Sequence, residues 1–431
     1  MSKTVIVGAG INGLLLGALL AHDGDEVLLF EKKRTVGGRA FLLERDGFIL
    51  DYGVHLTRFG PASSLAKIMR YLGSEVAFQP MGKSYLMDTD GEMKLFPTSP
   101  AGIFRSELFS FREKLRILGL LFKIKRGKYN NLMKISLEEW MQQNDITGGL
   151  RKYFELVSAS VMVCPFVEKT SAGEMFRNIN RVLQSGHSAE YPAEGWKPIH
   201  QALISEIEKR GKVYRKAKVD RVIIRKGVAT GVTVGGKKYV ADRVVLNMPV
   251  QEIFSVVPER SCRKEYVNLC KNLLPTSGVF VDIALKRNIS EIDGLLYSAS
   301  PAAYGIITSN ICRAVAPPGS QLLTMFYPVS LKDVTGLKNI KKSIEELWIA
   351  VKSFFPEIEK DILWKREAAL KMIDGVQVNV DQTEEQRPGS TVPDVQNLYL
   401  VGDSIAAPGA GGDVGNESVP ITFEKMTGKR I

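Results

Sequence analysis

Cysteine and histidine are scarce in this 431-residue chain, with four of each. Cys164, Cys262, Cys270 and Cys312 form no CxxC pair, so the spacing of a zinc site or a redox dithiol is lacking. Such sparse cysteines read as reduced, buried thiols of a cytoplasmic protein. With only His22, His55, His187 and His200 to add, no metal site is expected. No uninterrupted apolar run approaches the length of about eighteen residues needed to span a bilayer. The apolar N-terminus is broken by glycines and lacks a small-residue cleavage pattern, so it reads as fold and not as a signal peptide. No internal repeat or low-complexity segment is visible.

What is present is an ordinary globular composition, 45% hydrophobic and 24% charged, in a chain long enough for two domains. The charge is unbalanced: 58 basic against 47 acidic residues give a net charge of +11, which favours anionic partners. Part of the excess is local, since Phe104 to Lys134 carries nine basic residues against Glu107 and Glu113. Within it Leu115, Leu118, Leu121 and Phe122 recur at helical spacing, giving a basic amphipathic helix near 112–126. Such a helix could make peripheral contact with a membrane surface. The plainer reading, a helix covering its own domain with a solvated basic face, is preferred. Nucleic acid is not expected as a partner, because no recognised module appears and the basic residues are not interleaved with aromatics.

The first forty residues carry the chemistry. Thr4 to Val7 is a β-rich apolar run, and Gly8, Gly10 and Gly13 follow it with Gly-x-Gly-x-x-Gly spacing. The first glycine allows a tight turn, the second admits a pyrophosphate close to the backbone, and the third lets the next helix press on the strand. Leu14 to Leu20 makes that helix a buried one, with its positive N-terminal end aimed at phosphate. A second strand, Glu26 to Phe30, ends on Glu31, where an acidic side chain must stand to accept ribose hydroxyls. A bare glycine triplet is weak evidence; the strand, helix, second strand and acidic end together point to a dinucleotide. Which dinucleotide these residues leave open.

Farther on, Asp46-Gly47-Phe48 reads as a turn into a strand, and Ile49 to His55 returns the chain beside the nucleotide. Helical and loop segments are expected from about Val76 to Gln184, including a capping box at Ser136 and Glu139. A β-rich block runs from Val219 to Asn247, with a tight turn at Gly235-Gly236. Val279 to Leu285, Gly305 to Thr308 and Leu322 to Tyr327 read as one antiparallel sheet, and Ile340 to Phe355 as an amphipathic helix. The chain closes on an apolar strand, Asn397 to Val401, running into Gly402-Asp403, then Gly409 to Gly415 and a last helix.

Val5 to Glu31, Val36-Gly37-Gly38-Arg39, Asp51 to His55, Tyr191 to Met248 and Gly402-Asp403 together resemble the FAD-dependent amine oxidase and phytoene desaturase superfamily. The phytoene desaturase, carotenoid isomerase and retinol saturase branch is the nearest. The resemblance implies an α/β fold: a Rossmann-type FAD-binding domain with a discontinuous mixed α+β substrate domain, an architecture shared by amine oxidases and GDP dissociation inhibitors. It implies an FAD domain of 1–75, 187–250 and 390–431 and a substrate domain of 76–186 and 251–389. FAD would lie with its ribose on Glu31 and its pyrophosphate over Gly10, Asn12 and Arg39, within a cradle of Gly8, Ile11, Gly13, Lys32 and Gly38. Val219 would hold the adenine, Gly402 and Asp403 the ribityl and phosphate groups. Gly412, Asp413 and Val414 would face the flavin pyrimidine edge, and Val54 and His55 the isoalloxazine. Tyr191 to Trp196 departs from the family's Pro-x-Gly-Gly in having Glu194 before Gly195.

The resemblance implies an FAD oxidoreductase acting on carbon–carbon bonds of a lipophilic small molecule, with a flavin amine oxidase as the alternative. A non-catalytic prenyl-binding protein on the same scaffold is the reading from a different class, since fold alone does not fix function. No cysteine lies between 390 and 431, so the flavin is expected to be non-covalent. His55 is the one candidate catalytic residue, weighed against a plain flavin-contacting role.

Overall fold

The computed structural model describes every residue except Tyr52, so that member of the 51–55 segment lies outside the described residues. The chain begins with strand Lys3–Val7, helix Ile11–His22 and strand Glu26–Phe30, as the motif requires. These strands join Lys212–Tyr214, Arg243–Leu246 and Leu398–Leu400 in one sheet. Every neighbouring pair in it is parallel. A parallel sheet is covered on both faces, which explains why its strands are unbroken apolar runs without alternation.

The first helix has almost no polar side for the same reason. Leu14, Leu15, Leu16, Leu19 and Leu20 are all fully buried. At Gly17 an added Cβ would stand 3.1 Å from Ile207 and 3.2 Å from Ile6, so the helix is pressed between helix Lys197–Glu208 and the sheet. The β-rich block is a three-stranded antiparallel meander, Val219–Arg225, Val228–Val234 and Lys237–Val240. Its Gly235 and Gly236 adopt positive φ (54° and 77°), the backbone a tight hairpin turn demands.

A second sheet of seven strands runs in the order Ile362–Leu370, Gly278–Leu285, Gln321–Pro328, Ala302–Ile307, Leu296–Ala299, Ser84–Met87, Met93–Phe96. Its central strands are the expected antiparallel set. Helix Leu337–Phe354 packs on it through Leu347 and Val351, both fully buried.

Two expectations are corrected here. The 76–184 stretch is not only helix and loop, because Phe78–Pro80, Ser84–Met87 and Met93–Phe96 are strands. They are three or four residues long, too short for a periodic signal, and Ser84–Met87 is stabilised by pairing in parallel with Leu296–Ala299, more than two hundred residues away. The capping box at Ser136 is half made: its hydroxyl accepts from the Glu139 N–H at 3.1 Å, but the Glu139 carboxylate binds the Gln143 amide instead. A full box forms at Ser110 and Glu113, capping helix Phe111–Lys125.

That basic helix meets the protein with only part of the expected leucine face, Leu118 and Leu121 being partly buried against the core. Ile117 and Ile124 are its buried residues, whereas Leu115 and Phe122 are 54% and 57% exposed. Among the described residues no helix is long and apolar enough to cross a membrane.

Candidate functional site

The glycine turn closes on a side chain from elsewhere. Asn247, the residue after strand Arg243–Leu246, donates from Nδ2 to the carbonyls of Gly8 (3.0 Å) and Gly10 (3.3 Å). Gly8 has φ of 101°, and a Cβ at Gly8 or Gly13 would overlap Asn247 and, at Gly13, the Gly8 carbonyl as well. The glycines are therefore required by close packing of backbone on backbone and on Asn247.

Glu31 lies at the end of the second strand, 6% exposed, and its carboxylate accepts from the Ala9 N–H (2.9 Å) and the Lys33 N–H (2.8 Å). Two of its roughly four acceptor sites are thus used. The Glu31 carbonyl accepts from the Ala217 N–H at 2.8 Å, which brings the start of the Val219 strand alongside. Lys32 is exposed at the rim. The Gly37 N–H donates to the Ala9 carbonyl at 2.7 Å, and a Cβ on Gly38 would stand 2.9 Å from the Gly10 Cα. Arg39 then reaches across: it donates to the Ile373 carbonyl (2.8 Å) and to Asp403 Oδ1 (2.5 Å). The other oxygen of Asp403 accepts from the Gly375 N–H at 2.7 Å. Burial would lower the Arg39 pKa, but Asp403, with Asp374 and Glu252 farther off, raises it.

The N-termini of the first and last helices meet at this place. Asn12 Nδ2 donates to Asn416 Oδ1 (3.2 Å), and a Cβ on Gly415 would overlap Asn12. Neither helix has a side-chain cap: the cap positions are Gly10 and Gly411. Two sets of free N–H groups and two positive dipole ends therefore converge. The last helix, Gly412–Thr427, begins with an exposed Gly412 followed by buried Asp413 and Val414. Asp413 pairs with Arg181 at 2.5 Å, and the same guanidinium binds Glu417 and lies 4.3 Å over the Phe59 ring. The side chains of Asp413 and Glu417 are thus occupied by Arg181.

Arg58 and Asp374 complete the surround. A Cβ on Gly411 would stand 3.6 Å from Asp374 Oδ1 and 3.7 Å from Arg58 Nη2. Arg58 donates to the Val161 carbonyl, while its Nη1 is buried with no partner among the described residues. Burial pushes Asp374 up to about 6, with Asp403 adding and Arg39 opposing. Burial likewise pushes Asp413 up to about 6 against the pull of Arg181.

A second polar cluster lies beside the seven-stranded sheet, on its strands Gly278–Leu285 and Ile362–Leu370. Tyr191 donates to Asp51 Oδ2 (2.5 Å), and Arg366 donates to the Asp51 carbonyl (2.7 Å) and to Asp282 (2.7 Å). Burial pushes Asp51 up to about 7, with the Tyr191 hydrogen bond opposing. His55 follows: its carbonyl accepts from Trp196 Nε1 at 3.2 Å, and its ring meets Trp196 edge-on at 6.4 Å. Burial pushes His55 down to about 4 against the Gly53 carbonyl, and His200 likewise. Both imidazoles are neutral at pH 7, and His55 Nδ1 and His200 Nε2 are buried without partners among the described residues.

Gly8, Gly10, Gly13, Glu31, Gly38, Arg39 and Asp403 are thus linked around the glycine turn, and Asn12 and Gly402 both meet the last helix, the Gly402 N–H donating to Ser418 Oγ at 2.9 Å. Val54 and His55 belong to the neighbouring Asp51 segment, outside this contact network. These residues fit FAD: a glycine cradle that any Cβ would fill, a buried carboxylate with open acceptor sites and no cation, and two uncapped helix ends facing together. Asn247, Arg58, Arg181 and Asp374 are the functional candidates that sequence reasoning missed. Asn247 alone left a signal, as the polar residue ending an apolar strand.

Comparison with known proteins agrees. The 15-cis-phytoene desaturase of Synechococcus elongatus is 22% identical over 437 residues, covering 93% of this chain and 90% of that one. The chloroplastic prolycopene isomerase of Daucus carota is 25% identical, over 94% of this chain and 77% of that one. An oxidoreductase structure from Methanosarcina mazei superposes with a TM-score of 0.85 at 22% identity, covering 99% of this chain and all of that one. The family model for flavin containing amine oxidoreductases matches residues 11–415, from the first turn of the first helix into the last. Gly13, Glu31, Arg39, Asp403 and the start of the last helix lie inside one continuous match, and the chain belongs to the flavin-containing amine oxidoreductase family as an FAD-dependent oxidoreductase.

Proposed function

We propose that this enzyme acts on a lipophilic, unsaturated small molecule, by hydride-transfer desaturation or saturation or by isomerisation at carbon–carbon bonds. The observation that carries the reading is electrostatic. Arg58, Arg181 and the uncapped N-terminus of the last helix lie on one side of the site, where Asp413 is paired with Arg181 and burial pushes both Asp413 and Asp374 up to about 6. Such a surround disfavours an ammonium substrate and is indifferent to a hydrocarbon. Buried aromatics add an apolar wall near Arg58: Tyr304 packs on Phe326 at 5.3 Å, and Tyr297 on Phe96 at 4.1 Å. Two relatives that span nearly all of this chain are named for polyene chemistry.

In this reading FAD supplies the hydride acceptor or donor, and the protein supplies position, charge and dryness. Glu31 accepts the ribose hydroxyls and the Val219 backbone holds the adenine. The Gly8–Gly13 turn with Ile11 and Asn12, together with Lys32, Gly38 and Arg39, holds the pyrophosphate. Gly402 and Asp403 hold the ribityl chain, Asp403 chiefly by fixing Arg39. Gly412 to Val414, at the uncapped start of the last helix, would present backbone N–H groups to the flavin's pyrimidine edge and favour negative charge there. Val54 and neutral His55 would face the isoalloxazine, so His55 would orient and not carry a charge. The flavin is held without a covalent bond, and 1–75, 187–250 and 390–431 act together as its domain, with 76–186 and 251–389 enclosing the substrate.

Incubating the holoenzyme with acyclic isoprenoid polyenes in detergent micelles, followed by chromatography, tests the reading. Products altered in double-bond number or geometry are expected. An enzyme that turns over primary or secondary amines while leaving every polyene unchanged would overturn it.

A further inference from the structure

Helix Phe111–Lys125 presents to solvent a stripe that water does not favour. Phe111, Leu115 and Phe122 are 74%, 54% and 57% exposed, and at about 100° per residue they fall within an arc of about 40°. Ile117 and Ile124, on the opposite side, are the residues that anchor the helix to the protein. Phe104, on the preceding helix Pro100–Arg105, joins the patch at 57% exposure: its carbonyl accepts from Lys114 Nζ at 3.0 Å. Single exposed apolar residues are common, but four large ones side by side mark an interaction surface.

The rim of this patch is cationic. Arg105, Arg112, Lys123, Lys125, Arg126 and Lys128 are exposed, and among the described residues none has an acidic partner. Arg126 lies over the Phe122 ring at 4.1 Å. Glu113 is taken up by the cap of its own helix and by the Leu150 N–H, which leaves Glu107 as the one uncommitted carboxylate of the 104–134 segment.

We infer that this face docks on a bilayer surface bearing anionic lipid, with the three stripe residues and Phe104 entering the headgroup boundary and the cations meeting lipid phosphates. A second copy of the chain is the poorer occupant, because a symmetric contact would bring two cationic rims together on molecules of net charge +11. The helix packs on helix Ala172–Ser185, which carries Arg181 of the cofactor site, so docking would set one wall of the substrate region against the lipid. That last step rests on the lipophilic-substrate reading, whereas the docking does not.

The test is co-sedimentation of the FAD-loaded full chain with vesicles of phosphatidylcholine alone or with about one quarter phosphatidylglycerol, without substrate. Pelleting with the anionic vesicles is expected, falling as salt is raised. One protein carrying Phe111→Ser, Leu115→Ser and Phe122→Ser should bind at least about tenfold more weakly, and so should one carrying Lys123→Glu and Arg126→Glu. Both should keep full flavin content. Leu337→Ser, at an 88% exposed leucine on another helix, should bind like the parent. No lipid-dependent pelleting of the parent, or equal pelleting of all variants, would overturn the inference. So would a concentration-dependent dimer that the serine variant abolishes in the absence of lipid binding. Since no turnover is measured, failure here leaves the substrate reading standing.

Discussion

The cofactor cradle and the substrate region are built in opposite ways. In the cradle, backbone touches backbone: glycines at 8, 10, 13 and 38 admit contacts that any side chain would block, and the polar groups at its edges are mutually hydrogen-bonded. In the substrate region, side chains do the work. A seven-stranded sheet is assembled from strands 84 to 370, its edge completed by short strands, and helices 100–185 lie around it. The first arrangement tolerates almost no substitution and is written in a local motif. The second follows from volume and burial, which many sequences satisfy.

One substitution tried in both regions should separate them most widely. Gly13→Ala drives a Cβ into Asn247 and the Gly8 carbonyl, and at least about thirtyfold weaker FAD binding is expected, at about 2 kcal/mol or more for overpacking. Gly119→Ala, in the basic helix with nothing within 4 Å, should leave FAD binding unchanged and stabilise the protein by up to about 1 kcal/mol. Equal effects in FAD titration and denaturant melts would erase the distinction.

Beside the seven-stranded sheet, Asp51 provides the next contrast. Burial raises its pKa from the ordinary 3.8 to about 7, so the fold favours the protonated acid. Its contribution is complete below about pH 4 and is lost as the pH rises through 7. Asp51→Asn removes this titration and still accepts the Tyr191 hydroxyl. Relative to the parent, the variant should therefore gain on the order of 3 kcal/mol between pH 4 and 8. A difference between the two that stays flat in urea melts across that range would mean Asp51 is ionised as freely in the fold as out of it.

A smaller effect belongs to Glu31→Gln, which keeps an acceptor for the Ala9 N–H but removes the charge that strengthens bonds to ribose. FAD should bind about tenfold more weakly, at about 1.5 kcal/mol, measured by fluorescence quenching. An unchanged affinity would place the ribose elsewhere. Smallest of all is His55→Gln. Because burial holds His55 down to about 4, no step near pH 6.5 in the rate of flavin reduction should belong to it. A step in the parent that vanishes in the variant would show a proton-carrying histidine.

The same contrast explains what was legible in the sequence. Strand, turn, helix and acidic strand end fall within Lys3 to Glu31, so periodicity and spacing expose them together. Asn247, Arg58, Arg181 and Asp374 enter the site only through tertiary contacts; Arg181 meets Asp413 across 232 positions of chain. No local pattern marks such a residue. The short strands 84–87 and 93–96 were hidden because their partners are remote or their length is four residues. In the basic helix, leucine spacing revealed a stripe but not which side of it meets the protein. Ile117 and Ile124, two turns apart, settle on the inward face with Leu118 and Leu121 partly buried against the core, and Leu115 and Phe122 are left outside.

The most direct test of the account is anaerobic stopped-flow observation of the bound flavin spectrum, mixing polyenes with oxidised enzyme and with chemically reduced enzyme, and amines with oxidised enzyme. The account predicts that isoprenoid polyenes bleach the oxidised flavin, restore the reduced one, or change their own spectrum catalytically, while amines leave the flavin unaltered. Rapid bleaching by amines with no response to any polyene in either state would contradict it.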